Sequence, residues 1–263
     1  MASWYLGTMG FSYKDWIGNF YPHEIVSTKY LEYYSQVFNS VEVDSTFYGI
    51  PKAKTVTAWS SSVPEGFKFC VKVPRIITHD LGPVDGKDLL KEFLRVMMGF
   101  QEKLGVILLQ FPPSFRSSQL STLSQFLSYL PLDFHYAIEI RHRSWYTDPR
   151  PLLQLLVDHR VAWAATDYPN LPAQLIPTSP FVYIRWIGKY GSFASYTEEK
   201  VDRSQDLMNW WGKIQPVVDQ SSEIFGYFND DYAGFAPGTT LRFKQIVGVP
   251  LPSNRFPRQK KLF

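Results

Sequence analysis

Eight short β-rich runs recur along the chain, and helical spacing fills most of the gaps between them. The runs cover 5–10, 40–49, 67–73, 105–111, 136–141, 161–167, 181–188 and 224–229. Between them, apolar residues return at intervals near 3.6. Tyr30, Leu31, Tyr34 and Phe38 form one stripe, and Leu90, Phe93, Leu94, Met97 and Leu104 form another. Leu120, Leu123, Phe126, Leu127 and Leu130 form a third, with Ser117 as its expected N-cap. Further helices are expected after Asp148-Pro149, within 201–218 and over about 239–247. Pro216 should end or bend the second of these. Strands alternating with helices imply a parallel sheet with right-handed crossovers, and eight repeats predict closure into a TIM-type (β/α)8 barrel. One gap departs from the rule. The run YPNLPAQLIPTSP between strands six and seven carries four prolines and no apolar stripe, so a loop should replace the helix. The competing doubly wound open sheet lacks its Gly-rich turn after the first strand.

A chain of 263 residues fits one such domain, 1–263, ending in a short basic tail from about 252 that holds Arg255, Arg258, Lys260 and Lys261. The net charge of +3 is too small to imply nucleic acid by itself. With Cys70 as the only cysteine, no intramolecular disulfide can form, which predicts a reducing, cytoplasmic setting. The N-terminal run has no basic segment followed by a continuous apolar one, so no signal peptide is expected, and no run is long enough to span a bilayer.

Polar residues inside the strands mark the site. Side chains alternate faces along a strand. In the second run Val41 and Val43 share one face, and Glu42, Asp44 and Thr46 the other. In the fifth, Ile138 and Ile140 oppose Glu139 and Arg141. The face toward the helices must be apolar, so the charged face points inward. The same split places Lys72 inward, with Gln110, Asp167, Arg185 and Asn229 near the ends of their strands. Unpartnered buried charges cost several kcal/mol each, so this concentration requires a ligand or an internal ion-pair network. The carboxyl ends of barrel strands are where ligands bind.

Lys72, Arg141 and Arg185 can hold an anion, the arginines through a bidentate fork. Glu42, Asp44 and Glu139 are candidates for proton transfer, with His79 as a shuttle titrating near neutrality. Gln110, Asp167, Asn229, Tyr48 and Trp145 complete the candidate ligand-binding set. No cofactor is required. Carboxylates with one His suit Mg²⁺ or Mn²⁺, but HxH and HExxH spacings are absent and the interleaved cations disfavour a divalent ion. A glycosidase pair of Glu42 and Glu139 ranks lower for the same reason. Cys70 lies in phase with Lys72 and reads as a buried small hydrophobe.

The runs VFNSVEVDSTFYGIP (37–51), PEGFKFCVKVPRIITH (64–79), LLQFPPSF (108–115), YAIEIRHRSW (136–145), VYIRWIG (182–188) and YFNDDYAGFAP (227–237) resemble the YecE-like family, domain of unknown function 72. The resemblance covers nearly the whole chain. It implies a (β/α)8-type barrel and delivers no reaction. Its motif positions fall on Glu42, Thr46, Tyr48, Lys72, Arg75, His79, Gln110, Glu139, Arg141, Trp145, Asp167, Arg185 and Asn229. Asp230 departs from the second Asn common in relatives, and GFAPGTTLRF alters the usual continuation. A fold relation to endonuclease IV-like barrels suggests nucleic-acid binding, but this chain lacks the histidines for that enzyme's zinc cluster.

Two readings follow. In the first, the charged pocket binds a small phosphate- or carboxylate-bearing ligand and performs acid/base chemistry of a hydrolase or isomerase type. In the second, the barrel binds single-stranded nucleic acid, with Phe11, Tyr13, Trp16, Tyr48 and Trp145 stacking on bases.

Overall fold

A computed structural model describes residues 2–80 and 85–251. The basic tail expected from about 252 lies outside the described residues. Nine strands are present among them: β1 (Ser3–Thr8), β2 (Ser40–Val43), β3 (Lys68–Lys72), β4 (Leu104–Gln110), β5 (His135–Glu139), β6 (Ala162–Trp163), β7 (Ala165–Asp167), β8 (Phe181–Trp186) and β9 (Glu223–Phe228). All pairings are parallel. They form a five-stranded sheet, β2-β3-β4-β5-β6, and a four-stranded sheet, β1-β9-β8-β7. The helices are α1 (Tyr30–Tyr34), α2 (Ala53–Ser61), α3 (Lys87–Met97), α4 (Leu120–Leu127), α5 (Ser144–Thr147), α6 (Arg150–Asp158), α7 (Ser204–Val218), α8 (Asp230–Ala233) and α9 (Ala236–Ile246).

The expected closed ring of eight strands is not present as a closed sheet, and each of its two seams has a visible cause. The sixth run splits at Ala164, whose N–H donates to Ile138 O. Upstream, β6 pairs with β5, and downstream β7 pairs with β8. At the other seam, β1 and β2 share only the Met9–Glu42 bridge, with Gly10 N–H donating to Glu42 O at 2.7 Å. Below it the Tyr34 hydroxyl sits between the strands, accepting from Thr8 N–H at 2.9 Å and donating to Ser40 O at 3.0 Å. Gly7 allows this approach, because a Cβ there would lie 2.0 Å from Ser40 O. Tyr34→Phe should therefore strand a buried donor and acceptor and cost about 1–3 kcal/mol. A lowered urea midpoint at unchanged slope would register it, and a variant as stable as the parent would refute the bridging role.

Apolar packing falls into two clusters. The larger lies between the sheets and the helices, where Leu90, Phe93, Leu94 and Met97 of α3 and Leu123, Phe126 and Leu127 of α4 are all buried. The smaller is built from the opposite faces of the strands: Met9, Cys70, Val106, Leu108, Ala137, Ala162, Ala164, Phe181, Tyr183, Phe225 and Tyr227. Residues two positions further along several of these strands form the charged layer described below.

Several local expectations are corrected. Leu104 opens β4 and does not extend the preceding helix. Ser117 begins a 3-10 turn capped by Arg116, and α4 follows at Leu120. The helix α2 was not anticipated. Asp44 to Phe47 leave the strand and form a 3-10 turn. Pro216 falls in the last turn of α7, which ends two residues later. The Pro-rich segment between β7 and β8 contains no helix, as expected.

Candidate functional site

Glu42, Lys72, Glu139 and Arg185 occupy inward positions on β2, β3, β5 and β8, and Arg141 follows β5 by two residues. All five meet. Arg185 crosses the interior and engages Glu42 through two nitrogens, Nε to Oε2 at 2.9 Å and Nη2 to Oε1 at 2.7 Å. Its Nη1 donates to Glu139 Oε2. The Tyr183 hydroxyl, one turn of the pleat below, also donates to Glu42 Oε2 at 2.7 Å. Arg141 Nε closes the chain onto Glu139 Oε1. Both glutamates are fully buried. Burial alone would raise the Glu139 carboxyl, but Arg141, Arg185 and Lys72 outweigh it and hold it at about 2. Glu42 and Glu139 are thus hydrogen-bonded carboxylates in an internal network. The proton-transfer role expected for them has no free carboxyl oxygen position comparable to that of Asp44.

Groups without such commitments lie above the network. Lys72 ends β3 with 8% of its surface exposed, and its Nζ lies 3.6 Å from the centre of the Phe47 ring. It has no carboxylate within ion-pair range among the described residues. Burial, with Arg185 and Arg141 beside it, lowers its ammonium to about 7, although Glu139 and Glu42 pull the other way. The backbone of Lys72 is fixed by Thr46, whose hydroxyl accepts from Lys72 N–H and donates to Lys72 O. Arg141 spends only Nε on Glu139, and its guanidinium lies 4.6 Å from the Tyr168 ring centre. Among the described residues its terminal nitrogens have no acceptor. The Asp44 carboxyl has no side-chain partner there and accepts only from its own backbone N–H, and burial and Glu42 raise its pKa against the pull of Lys72 and Arg185. Gln110, 4% exposed, leaves its Oε1 buried and unpartnered while Nε2 faces His79 Nε2 at 3.4 Å.

His79 is corrected. It lies in a π turn over Ile76–Asp80, with Nδ1 2.8 Å from Thr78 Oγ1. Burial, Lys72 and Arg75 push it down to about 4, so the ring is neutral at pH 7 and does not titrate near neutrality. Arg75 is exposed and pairs with Asp80 at 3.3 Å.

Other expected site residues lie elsewhere. Asp167 shares its face with Trp163 and Ala165, toward the helices, and accepts from Trp210 Nε1 of α7 at 2.7 Å. Thr166, aligned with Arg185, holds the inward position instead. Asn229 caps α8, its side chain accepting from Asp231 N–H at 2.9 Å. Trp145 is buried on α5, stacked on Phe115 and donating to Phe115 O at 2.8 Å. Trp16 is buried and donates to Asp230. Neither tryptophan can stack on a base. Tyr48 is 87% exposed and touches Phe47 edge-on, while Phe11 and Tyr13 are half-buried. Cys70 is buried below Lys72, accepting from Val106 N–H and the Tyr227 hydroxyl, and burial raises its thiol to about 12. Among the described residues no three His, Cys, Asp or Glu side chains are grouped to hold a metal. No described helix is long and apolar enough to cross a membrane.

Tyr183, Phe47, Tyr168 and Thr166 escaped sequence reasoning. Tyr183 was reachable through its alternation with Arg185, whereas Thr166 follows an alanine-rich stretch whose two faces differ little in hydrophobicity. The two rings over the cations carry no such signal.

The model of a family described as "Protein of unknown function DUF72" matches residues 5–261. The protein YecE of Escherichia coli K12 is 28% identical over 207 residues, covering 70% of this chain and 74% of its own. YunF of Bacillus subtilis is 27% identical, covering 98% and 99%. A crystal structure of a DUF72 family protein from Thermotoga maritima superposes with a TM-score of 0.79 at 27% identity, covering 94% of this chain and 99% of that one. One from Enterococcus faecalis, at 23% identity and a TM-score of 0.76, shares the fold.

Proposed function

The chain belongs to the DUF72 family, and from that premise and the geometry above we propose that the ends of β2, β3, β5 and β8 form the binding site for a small anion bearing phosphate or carboxylate. In this reading the two sheets are the walls of one (β/α)8-type barrel domain, and the site lies at its ligand-binding face. The observation that carries it is a division of labour among the charges. Arg185 is consumed by Glu42 and Glu139, whereas Lys72 and the terminal nitrogens of Arg141 keep their donors free at the open end. Charged donors left without a protein acceptor at a solvent-touching rim are available to make charge-assisted hydrogen bonds to an anionic ligand. Asp44, with its raised pKa, is the group able to give or take a proton beside the bound anion. Glu42, Glu139 and Tyr183 are positioning residues for Arg185.

Calorimetric titration with inorganic phosphate and with citrate tests the reading. Saturable binding is expected, and Arg141→Ala should weaken it about ten- to a hundredfold, the loss of a charge-assisted contact. Glu139 keeps Arg185 in that variant, so the fold should persist. No saturable binding, or equal binding by Arg141→Ala, would overturn the site. Single-stranded DNA binding that falls steeply with salt, without anion binding, would point to nucleic acid instead.

A further inference from the structure

The free amine of the site has chemistry beyond holding charge. We propose that Lys72 is a nucleophile that forms an imine with an aldehyde or ketone carried beside an anionic group, as in a 2-oxo acid or a phosphorylated carbonyl compound. The substrate class rests on the anion reading above, but the nucleophile does not.

Four features of the geometry carry it. Lys72 Nζ is the sole lysine amine in the cluster and has no ion-pair partner among the described residues. Its approach is fixed from below by the Thr46 hydroxyl on its backbone and from one side by the Phe47 ring, so the nitrogen has a defined direction. Two guanidinium groups flank it, both anchored through Glu139, and such neighbours favour the uncharged amine. A carboxyl group without a side-chain hydrogen-bonding partner, Asp44, stands within electrostatic reach. The remaining charged or titratable neighbours are Glu42 from β2, Arg75 and His79 from the segment after β3, and Glu139 and Arg141 from β5 and its end.

The step balances without an oxidant or reductant. The Lys72 nitrogen pair adds to the carbonyl carbon, the C=O π pair moves to oxygen, and a proton passes from nitrogen to oxygen to give a carbinolamine. Asp44 then protonates the hydroxyl, the C–O bond breaks, water leaves, and a protonated imine remains on Lys72. Arg141 would hold the adjacent carboxylate or phosphate, and the orphaned Gln110 Oε1 offers an acceptor to the departing water or to a substrate hydroxyl.

Two small probes differing in the anion test this. The full chain is treated at pH 7 with glyoxylate or with acetaldehyde in the presence of cyanoborohydride, and peptide mass spectrometry reads modification of Lys72 relative to exposed Lys54. Lys72 should be modified at least tenfold faster than Lys54 by glyoxylate, with no adduct at this position in Lys72→Met. An excess of inorganic phosphate should suppress the glyoxylate reaction. Preference for Lys72 with both probes, unaffected by phosphate, would keep the nucleophile and refute the anion subsite. Modification of Lys72 no faster than Lys54 by either probe, in a chain that binds phosphate, would overturn the nucleophile and leave the anion site standing.

Discussion

Replacing Arg185 by methionine is expected to destabilise the protein by about 3–5 kcal/mol, enough to unfold many domains of ordinary stability. Arg185 is 3% exposed and is the partner of two fully buried glutamates. Removing it leaves Glu42 with the Tyr183 hydroxyl alone and Glu139 with Arg141 alone. The cost comes from stranding those carboxylates, since an intact buried pair gains little over apolar packing of similar volume. The combined replacement Glu42→Leu, Glu139→Leu and Arg185→Met should therefore lose less stability than Arg185→Met alone. Urea unfolding of the two variants decides the matter. A loss below about 1 kcal/mol for the single variant would mean that the network is not the compensated cluster described here.

Lys72→Met should act in the opposite direction and make the protein more stable. The ammonium, at 10.5 in an unfolded chain, is lowered to about 7 by burial and the neighbouring arginines. Such a difference corresponds to roughly 5 kcal/mol of penalty for the charged form, an upper bound on the gain. Its sign over pH follows from proton counting. Between pH 7 and 10.5 the unfolded chain binds the proton and the folded chain releases it, so stability rises with pH across that window. Below pH 7 both states are protonated and the penalty is full. The stabilisation by Lys72→Met should thus be largest at pH 6–7 and fade toward pH 10. Denaturant midpoints for parent and variant at several pH values measure it. A variant less stable than the parent at pH 6 would show that Lys72 is a structural cation. A stabilising loss of a buried charge is the behaviour expected of a group kept for function at a cost to the fold.

Strand alternation located the charged cluster wherever the strand was regular. Val41 and Val43 against Glu42, and Ile138 against Glu139, give enough contrast to fix which face is inward. The method failed at Asp167 because the sixth run breaks at Ala164, and Ala162, Ala164 and Ala165 fall on both faces, so hydrophobicity gives little parity contrast there. It failed at Asn229 for another reason. The strand ends at Phe228, and an Asn before two Asp residues is a helix cap by propensity. Trp145 and Trp16 were indistinguishable from rim rings in sequence, since a ring that fills a core and a ring that stacks on a ligand have the same composition. Pairing within the cluster was also illegible. The alternation aimed two glutamates and two arginines at one interior, but only the three-dimensional structure reveals that Arg185 bridges both glutamates.

That span has a structural corollary. Glu42 and Glu139 belong to the five-stranded sheet and Arg185 to the four-stranded one, so a single guanidinium ties the two sheets together. At the seam between β1 and β2 a single phenol, Tyr34, does comparable work. Exchanging any one of those charges alone would therefore loosen the joint that holds the two sheets together.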